Sequence, residues 1–250
     1  CEDPWSGMLC TDIVVGDEQT SIFYSMNNGA SATSLVIYPR STLLLQSPLL
    51  VQGKAVVNGS IRVGTNNDGI ALYNLQVTEE LFVGPSGLIT ADYTVYAPLL
   101  MRDPTSIQDY GSYGGYALPV LCGAVEPGPC TNAPYGSLLA PSATGAPGNE
   151  GGAGGRVYIV APTITLMGRI SSNGEHTSSA GSVFLDCAVL RGNGTISAET
   201  TPDGGSGGRI SLKLFELSLP LDHISTDGGS LVGAAPGTLA VSYLGSVCFS

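Results

Sequence analysis

Lysine is almost missing from this chain. Only Lys54 and Lys213 occur, and with seven arginines scattered from Arg40 to Arg209 the basic residues number 9 against 20 acidic ones. Neutralising phosphates takes clustered Lys and Arg, so this scatter excludes a basic groove for nucleic acid, and the net charge of −11 disfavours an anionic membrane surface. Charged residues of both signs make up 12% of the chain, against about 25% in an ordinary globular protein. Long uninterrupted apolar runs are absent too. The most apolar stretch, residues 34–51, is broken by Pro39, Arg40, Gln46 and Pro48 and cannot span a bilayer as a helix. No segment carries a sustained stripe at the 3.6-residue helical period, so helices are not expected.

Glycine and proline are abundant, at 35 and 16 residues. In a chain that is 43% hydrophobic with a mean hydropathy of +0.24 they point to a folded, turn-rich scaffold and not to disorder. The chain of 250 residues is long enough to bury a core without metals or disulfides.

Six cysteines stand at Cys1, Cys10, Cys122, Cys130, Cys187 and Cys248, with no C-x-x-C pair and no histidine at zinc-ligand spacing. Disulfides in an oxidising compartment are the expectation. Short separations favour Cys1 with Cys10 and Cys122 with Cys130, which leaves Cys187 with Cys248 by elimination among the 15 possible pairings of six cysteines. Two sequons, Asn58-Gly59-Ser60 and Asn193-Gly194-Thr195, agree with a secretory route and predict covalent glycans on Asn58 and Asn193. The chain opens at Cys1 without a basic and then apolar leader, so a signal peptide is expected to have been removed or to lie outside this sequence.

Internal repetition is the main signal. A glycine followed by a short alternating strand recurs at Gly155-Arg156-Val157, Gly181-Ser182-Val183, Gly208-Arg209-Ile210 and Gly237-Thr238-Leu239, with anchor glycines 26, 27 and 29 residues apart. A second series interleaves with it: Gly168-Arg169-Ile170-Ser171, Gly194-Thr195-Ile196-Ser197 and Asp222-His223-Ile224-Ser225. The same motif occurs earlier at Gly59-Ser60-Ile61 and Gly87-Leu88-Ile89, 28 residues apart. Strands of four to six residues between Gly, Asn and Asp turns at this period predict an all-β, right-handed parallel β-helix, a solenoid with rungs of about 26–29 residues. In that fold Ile61, Ile89, Ile170, Ile196 and Ile224 stack as an inward ladder. Residues 1–35, which contain Trp5 and lack the repeat, are expected to form an N-terminal cap. Residues 36–250 then form the solenoid, interrupted by a Gly/Pro/Tyr-rich inserted loop at about 101–150 that carries Tyr110, Tyr113, Tyr116 and Tyr135.

The runs Tyr113-Gly114-Gly115-Tyr116, Pro134-Tyr135-Gly136-Ser137, Gly151-Gly152-Ala153-Gly154-Gly155-Arg156-Val157 and Gly168-Arg169-Ile170-Ser171-Ser172-Asn173-Gly174 carry a resemblance. Across about residues 55–245 the chain resembles the glycine-rich parallel β-helix modules of very large eukaryotic extracellular proteins, found in plants, algae and protists. The resemblance implies a repeated scaffold without catalytic residues, comparable to proteins that build flagellar hairs and surface fibres. The chain departs from that pattern at residues 118–125, where an apolar run replaces dense glycine.

Signals for chemistry are weak. His176 and His223 both sit in turn-like contexts, there is no G-x-S-x-G elbow, and the glycine clusters lack the lysine of a phosphate loop. Asp92, Asp103 and Asp109, with Arg102 adjacent, are the candidates for a carboxylate pair of the kind polysaccharide-cleaving enzymes use. Asn66-Asn67-Asp68-Gly69 and Asp203-Gly204-Gly205 offer oxygen ligands, but at turn spacing and not at calcium-loop spacing. No catalytic residue, metal or cofactor is therefore assigned. The expected role is that of an extracellular structural protein which self-associates into a filament, flagellar hair or coat, or contacts other extracellular subunits. Its final repeat lies close to Ser250 with no obvious cap, so a continuing chain or a neighbouring subunit is expected to cover that edge. The rival reading is a carbohydrate-binding or carbohydrate-active protein whose tyrosines stack on sugar rings.

Overall fold

A computed structural model describes residues 9–16, 18, 20–23, 30–64, 74–95, 114, 136–148, 151–230 and 234–244. Short alternating runs such as Leu49–Val51, Ala55–Val57 and Leu75–Val77 bury their first and third residues and half-bury the second, as strands covered mainly on one face do. Ten strands precede the inserted segment: β1 (Leu9–Val15), β2 (Thr20–Phe23), β3 (Ala30–Ile37), β4 (Thr42–Leu45), β5 (Leu49–Val51), β6 (Ala55–Val57), β7 (Ser60–Val63), β8 (Leu75–Val77), β9 (Glu80–Val83) and β10 (Leu88–Thr90). Eight follow it: β11 (Arg156–Leu166), β12 (Arg169–Ser171), β13 (Ser182–Gly192), β14 (Thr195–Ser197), β15 (Arg209–Leu214), β16 (Glu216–Ser218), β17 (Ile224–Ser225) and β18 (Thr238–Tyr243). The one helical element among the described residues is a 3-10 turn at Leu221–His223.

The strands form two sheets, of eleven and seven strands, and every pairing between them is parallel. The smaller sheet runs β17-β14-β12-β10-β7-β4-β2. The larger runs β18-β15-β13-β11-β8-β5-β3-β6-β9, with β1 on β3 and β16 on β13. Strands β1 and β2 and the start of β3 fall within the segment expected to be a cap.

The all-β expectation holds, but the right-handed parallel β-helix does not. Strand β3 pairs with β5 through Ala30–Ala32 and with β6 through Leu35–Ile37, and β11 likewise pairs with both β8 and β9. Since β5 also pairs with β8 and β6 with β9, the ladder β3-β5-β8-β11-β9-β6 returns on itself as a closed, barrel-like ring of six parallel strands. The cause is unequal strand length. β3 and β11 run unbroken past the points where Gln52–Lys54 and Thr78–Glu79 interrupt their neighbours, so each bonds to both halves of a broken partner. The expected 26–29-residue period is not uniform either: Leu43 pairs with Ile61 after 18 residues, and Ile89 pairs with Ile170 across 81.

Within this frame the isoleucines do stand in register. Ile61, Ile89, Ile170, Ile196 and Ile224 pair in sequence along the smaller sheet and are all buried. Fully burying one such side chain contributes about 1.5–3 kcal/mol. The turn before the first four of these strands carries a glycine, at Gly59, Gly87, Gly168 and Gly194, and the fifth is preceded by the Leu221–His223 turn. A Cβ on Gly194 would lie 2.3 Å from the Gly168 carbonyl oxygen, and one on Gly168 2.2 Å from that of Gly87, so any side chain here would push neighbouring strands apart.

Candidate functional site

The outward face of the smaller sheet carries the densest polar network. Alternation turns Thr90, Ser171 and Ser197 away from the isoleucine column, yet all three are buried, so their hydroxyls need partners. Asp92 supplies those of Thr90 and Ser171, its own N–H donating to Thr90 Oγ1 at 2.9 Å. Its Oδ2 accepts the Ser171 hydroxyl at 2.9 Å while Ser171 Oγ lies 3.0 Å from Thr90 Oγ1, and its Oδ1 accepts the Asn173 backbone N–H at 2.6 Å. The network continues across the strands: Asn173 Oδ1 accepts the Glu199 N–H at 2.9 Å, and Arg169 Nη2 donates to Ser197 Oγ at 3.0 Å. Both oxygens of Asp92 are thus engaged in joining strand ends, which suits a structural clamp better than an acid or base. Asp103, Asp109 and Arg102, its expected companions, lie outside the described residues.

Tyr93, next to Asp92, holds a left-handed backbone with φ 56°. Burial raises its phenol pKa above the usual value, Asp92 and Glu175 add to the rise, and Arg169 opposes it. His176, also left-handed at φ 50°, has Nδ1 3.5 Å from Asp203 Oδ2 on an exposed turn. Hydrogen bonds from Thr201 and from its own backbone lower the Asp203 pKa, and His176 adds to the effect. His223 Nδ1 stands 3.0 Å from the Gly194 carbonyl oxygen, at the second sequon. Each histidine is accounted for by a turn contact. Asp203-Gly204-Gly205 is a turn as well, closed by the Gly204 N–H on the Thr201 carbonyl at 2.7 Å, while residues 66–69 lie outside the described residues. Among the described residues no three His, Cys, Asp or Glu side chains stand together as a metal site. No helix among them is long and apolar enough to cross a membrane.

The two sequons occupy equivalent turns. Ser60 pairs with Leu88, Leu88 with Arg169 and Arg169 with Thr195, which places Asn58 and Asn193 on one corner, three strand steps or roughly 14 Å apart. Asn193 is exposed, whereas Asn58 is half-buried with its Oδ1 against Gly84.

Among the described residues there is no disulfide. Cys187 is a free thiol, 3% exposed, and the alternation of β13 turns it inward beside Ala161, so the bridge to Cys248 expected by elimination is not formed at this residue. Burial, aided by Asp186, pushes its thiol up to about 12. Cys1, Cys122, Cys130 and Cys248 lie outside the described residues, and of Cys10 only the backbone in β1 is described.

Sequence reasoning missed two pairings on the outer face of the larger sheet. Lys213 Nζ meets Asp186 Oδ2 at 2.9 Å, which raises the lysine pKa, and Tyr158 packs edge-on against Phe184 with ring centroids 4.5 Å apart. Asp186 and Lys213 are 27 residues apart, so the period read from glycines, applied to charges, would have found them.

The last feature is the open end of the stack. Leu239 and Tyr243 of β18 pair in register with Ile210 and Leu214, which are fully buried in the core, yet Leu239 is 41% and Tyr243 58% exposed. Among the described residues no strand pairs with the outer side of β18 or of β1. Comparison with protein-family models, curated proteins and solved structures finds no match to this chain.

Proposed function

We propose that this chain is an extracellular structural module whose copies associate end to end into a filament, flagellar hair or surface coat. The observation that carries the reading is the pair of parallel edges that no strand covers among the described residues. Core-facing Leu239 and Tyr243 remain exposed on β18, while β1 presents the opposite edge of the same sheet with Ile13 and Val15 facing the core. β17 and β2 are the end strands of the smaller sheet. An edge of this kind is a template for another strand, and a contact between unlike ends that does not close propagates as a fibre. The two sequons support the secretory setting.

Sedimentation over a range of concentrations tests this. Wild-type protein should form larger species as concentration rises, and the Leu239→Lys, Tyr243→Lys double variant should remain monomeric. A wild-type protein that stays monomeric throughout would refute end-to-end association.

A further inference from the structure

Part of the inserted segment lies in a groove built of small residues. Gly155, Gly181, Gly208 and Gly237 stack at the starts of β11, β13, β15 and β18; a Cβ on Gly181 would stand 2.0 Å from the Gly155 carbonyl oxygen, and one on Gly208 2.1 Å from that of Gly181. This leaves a trough free of side chains, bordered by the buried Ser178, Ser179, Ser182 and Ser211. Residues 137–148 are seated there by their main chain. Ser211 Oγ donates to the Leu139 carbonyl and Ser182 Oγ to the Ala143 carbonyl, both at 2.8 Å. The Ala146 N–H donates to Ser179 Oγ at 2.8 Å and the Gly148 N–H to Ser178 Oγ at 2.9 Å. Two backbone pairs add to these, Gly145 N–H to Gly154 O at 2.8 Å and Ser179 N–H to Ala146 O at 3.0 Å, as do longer bonds from Arg156 Nη1 to the Ser142 carbonyl at 3.4 Å and from Ser179 Oγ to the Ala146 carbonyl at 3.3 Å. Pro141, Gly145 and Gly148 are buried, and a Cβ would meet Ala180 O at 2.5 Å from Gly145 and Thr177 Oγ1 at 2.3 Å from Gly148. Leu139, by contrast, is 63% exposed.

These contacts recognise an extended backbone with no room for a side chain at two positions, and they read little of the segment's side-chain chemistry. Nothing in them distinguishes the chain's own segment from an identical one on another molecule. Tethering favours the intramolecular arrangement through effective concentration, an advantage that falls as copies crowd together. We propose that the groove is a receptor for an extended strand containing proline and glycine, filled here by residues 137–148 and, in an assembly, by the same segment of a second copy. The exchange between copies rests on the association proposed above, whereas the groove's preference for this strand does not.

The test uses the full chain carrying Gly145→Leu and Gly148→Leu, which unseats its own segment, and a labelled synthetic peptide of residues 136–148. Fluorescence anisotropy should show saturable binding to this variant and binding weaker by about tenfold or more to the wild type, whose groove is filled. Adding Ser182→Val and Ser211→Val should weaken binding to the emptied groove by about tenfold through loss of two hydrogen bonds. A mixture of the emptied variant with a Ser182→Val, Ser211→Val chain should yield a heterodimer by segment exchange. A folded variant that does not bind the peptide, or binds it regardless of the serines, overturns the receptor; peptide binding without heterodimer overturns the exchange. Gly148→Ala, a gentler displacement, should give the same order of affinities if the double variant does not fold. Introducing Leu239→Lys and Tyr243→Lys should leave peptide binding unchanged, which separates failure of this proposal from failure of end-to-end association.

Discussion

Asp92 and Ser171 are 79 residues apart in the chain, yet the carboxylate of one accepts the hydroxyl hydrogen of the other at 2.9 Å. The bond bridges the whole inserted segment and fixes β10 beside β12. Removing the carboxylate takes the acceptor from the Asn173 N–H, a penalty of about 1–3 kcal/mol, and leaves the buried Ser171 hydroxyl with Thr90 Oγ1 alone. Asp92→Ala should therefore lower the midpoint of thermal unfolding, and Asp92→Asn, which keeps one acceptor, should lower it less. Full stability in Asp92→Ala would remove the clamp from the account.

The isoleucine column makes a second prediction. Ile170 is fully buried between Ile89 and Ile196, so Ile170→Ala should cost about 2–5 kcal/mol in denaturant unfolding. Leu221→Ala, at an exposed position, should change stability by no more than about 0.5 kcal/mol.

Cys187 should be silent to thiol reagents in the native protein near pH 8 and react on unfolding, because the thiol is buried and its pKa is pushed up to about 12. The pH dependence has a definite sign. An acid whose pKa is raised by folding contributes stability that is fully present below its unfolded value, near 8.5 for a thiol, and that is lost as pH rises toward the folded value. Stability should thus fall between roughly pH 8.5 and 12, and Cys187→Ala should flatten that part of the decline, measured by urea unfolding.

The sequon corner predicts that glycans on Asn58 and Asn193, if the chain is expressed through a eukaryotic secretory pathway, project from the same edge. Peptide mapping before and after glycosidase treatment should find a mass change at both positions. Modification at Asn193 alone would mean that the packing of Asn58 against Gly84 excludes the sugar.

How far the sequence foretold this structure differs from residue to residue. Ile170, Ile196 and Ile224 were legible because 26- and 28-residue spacings translate directly into register. The closed ring was not, because it depends on β3 and β11 outrunning their neighbours, and the glycine period records where strands begin and not where they stop. Asp186 and Lys213 obey the period, but a charge pair one rung apart leaves no glycine or turn signature in the sequence. The contact of Ser182 with Ala143, 39 residues away, had no periodic anchor on its loop side and could not be read at all. The inward-facing Cys187 shows the limit of pairing by elimination, since strand alternation decides which way a cysteine points.

Electron microscopy of the native, non-reduced protein near neutral pH tests the central claim most directly. Ordered filaments one molecule across should form from the wild-type protein and be lost in the Leu239→Lys, Tyr243→Lys variant. Dispersed single particles at high concentration, in wild type and variant alike, would contradict it.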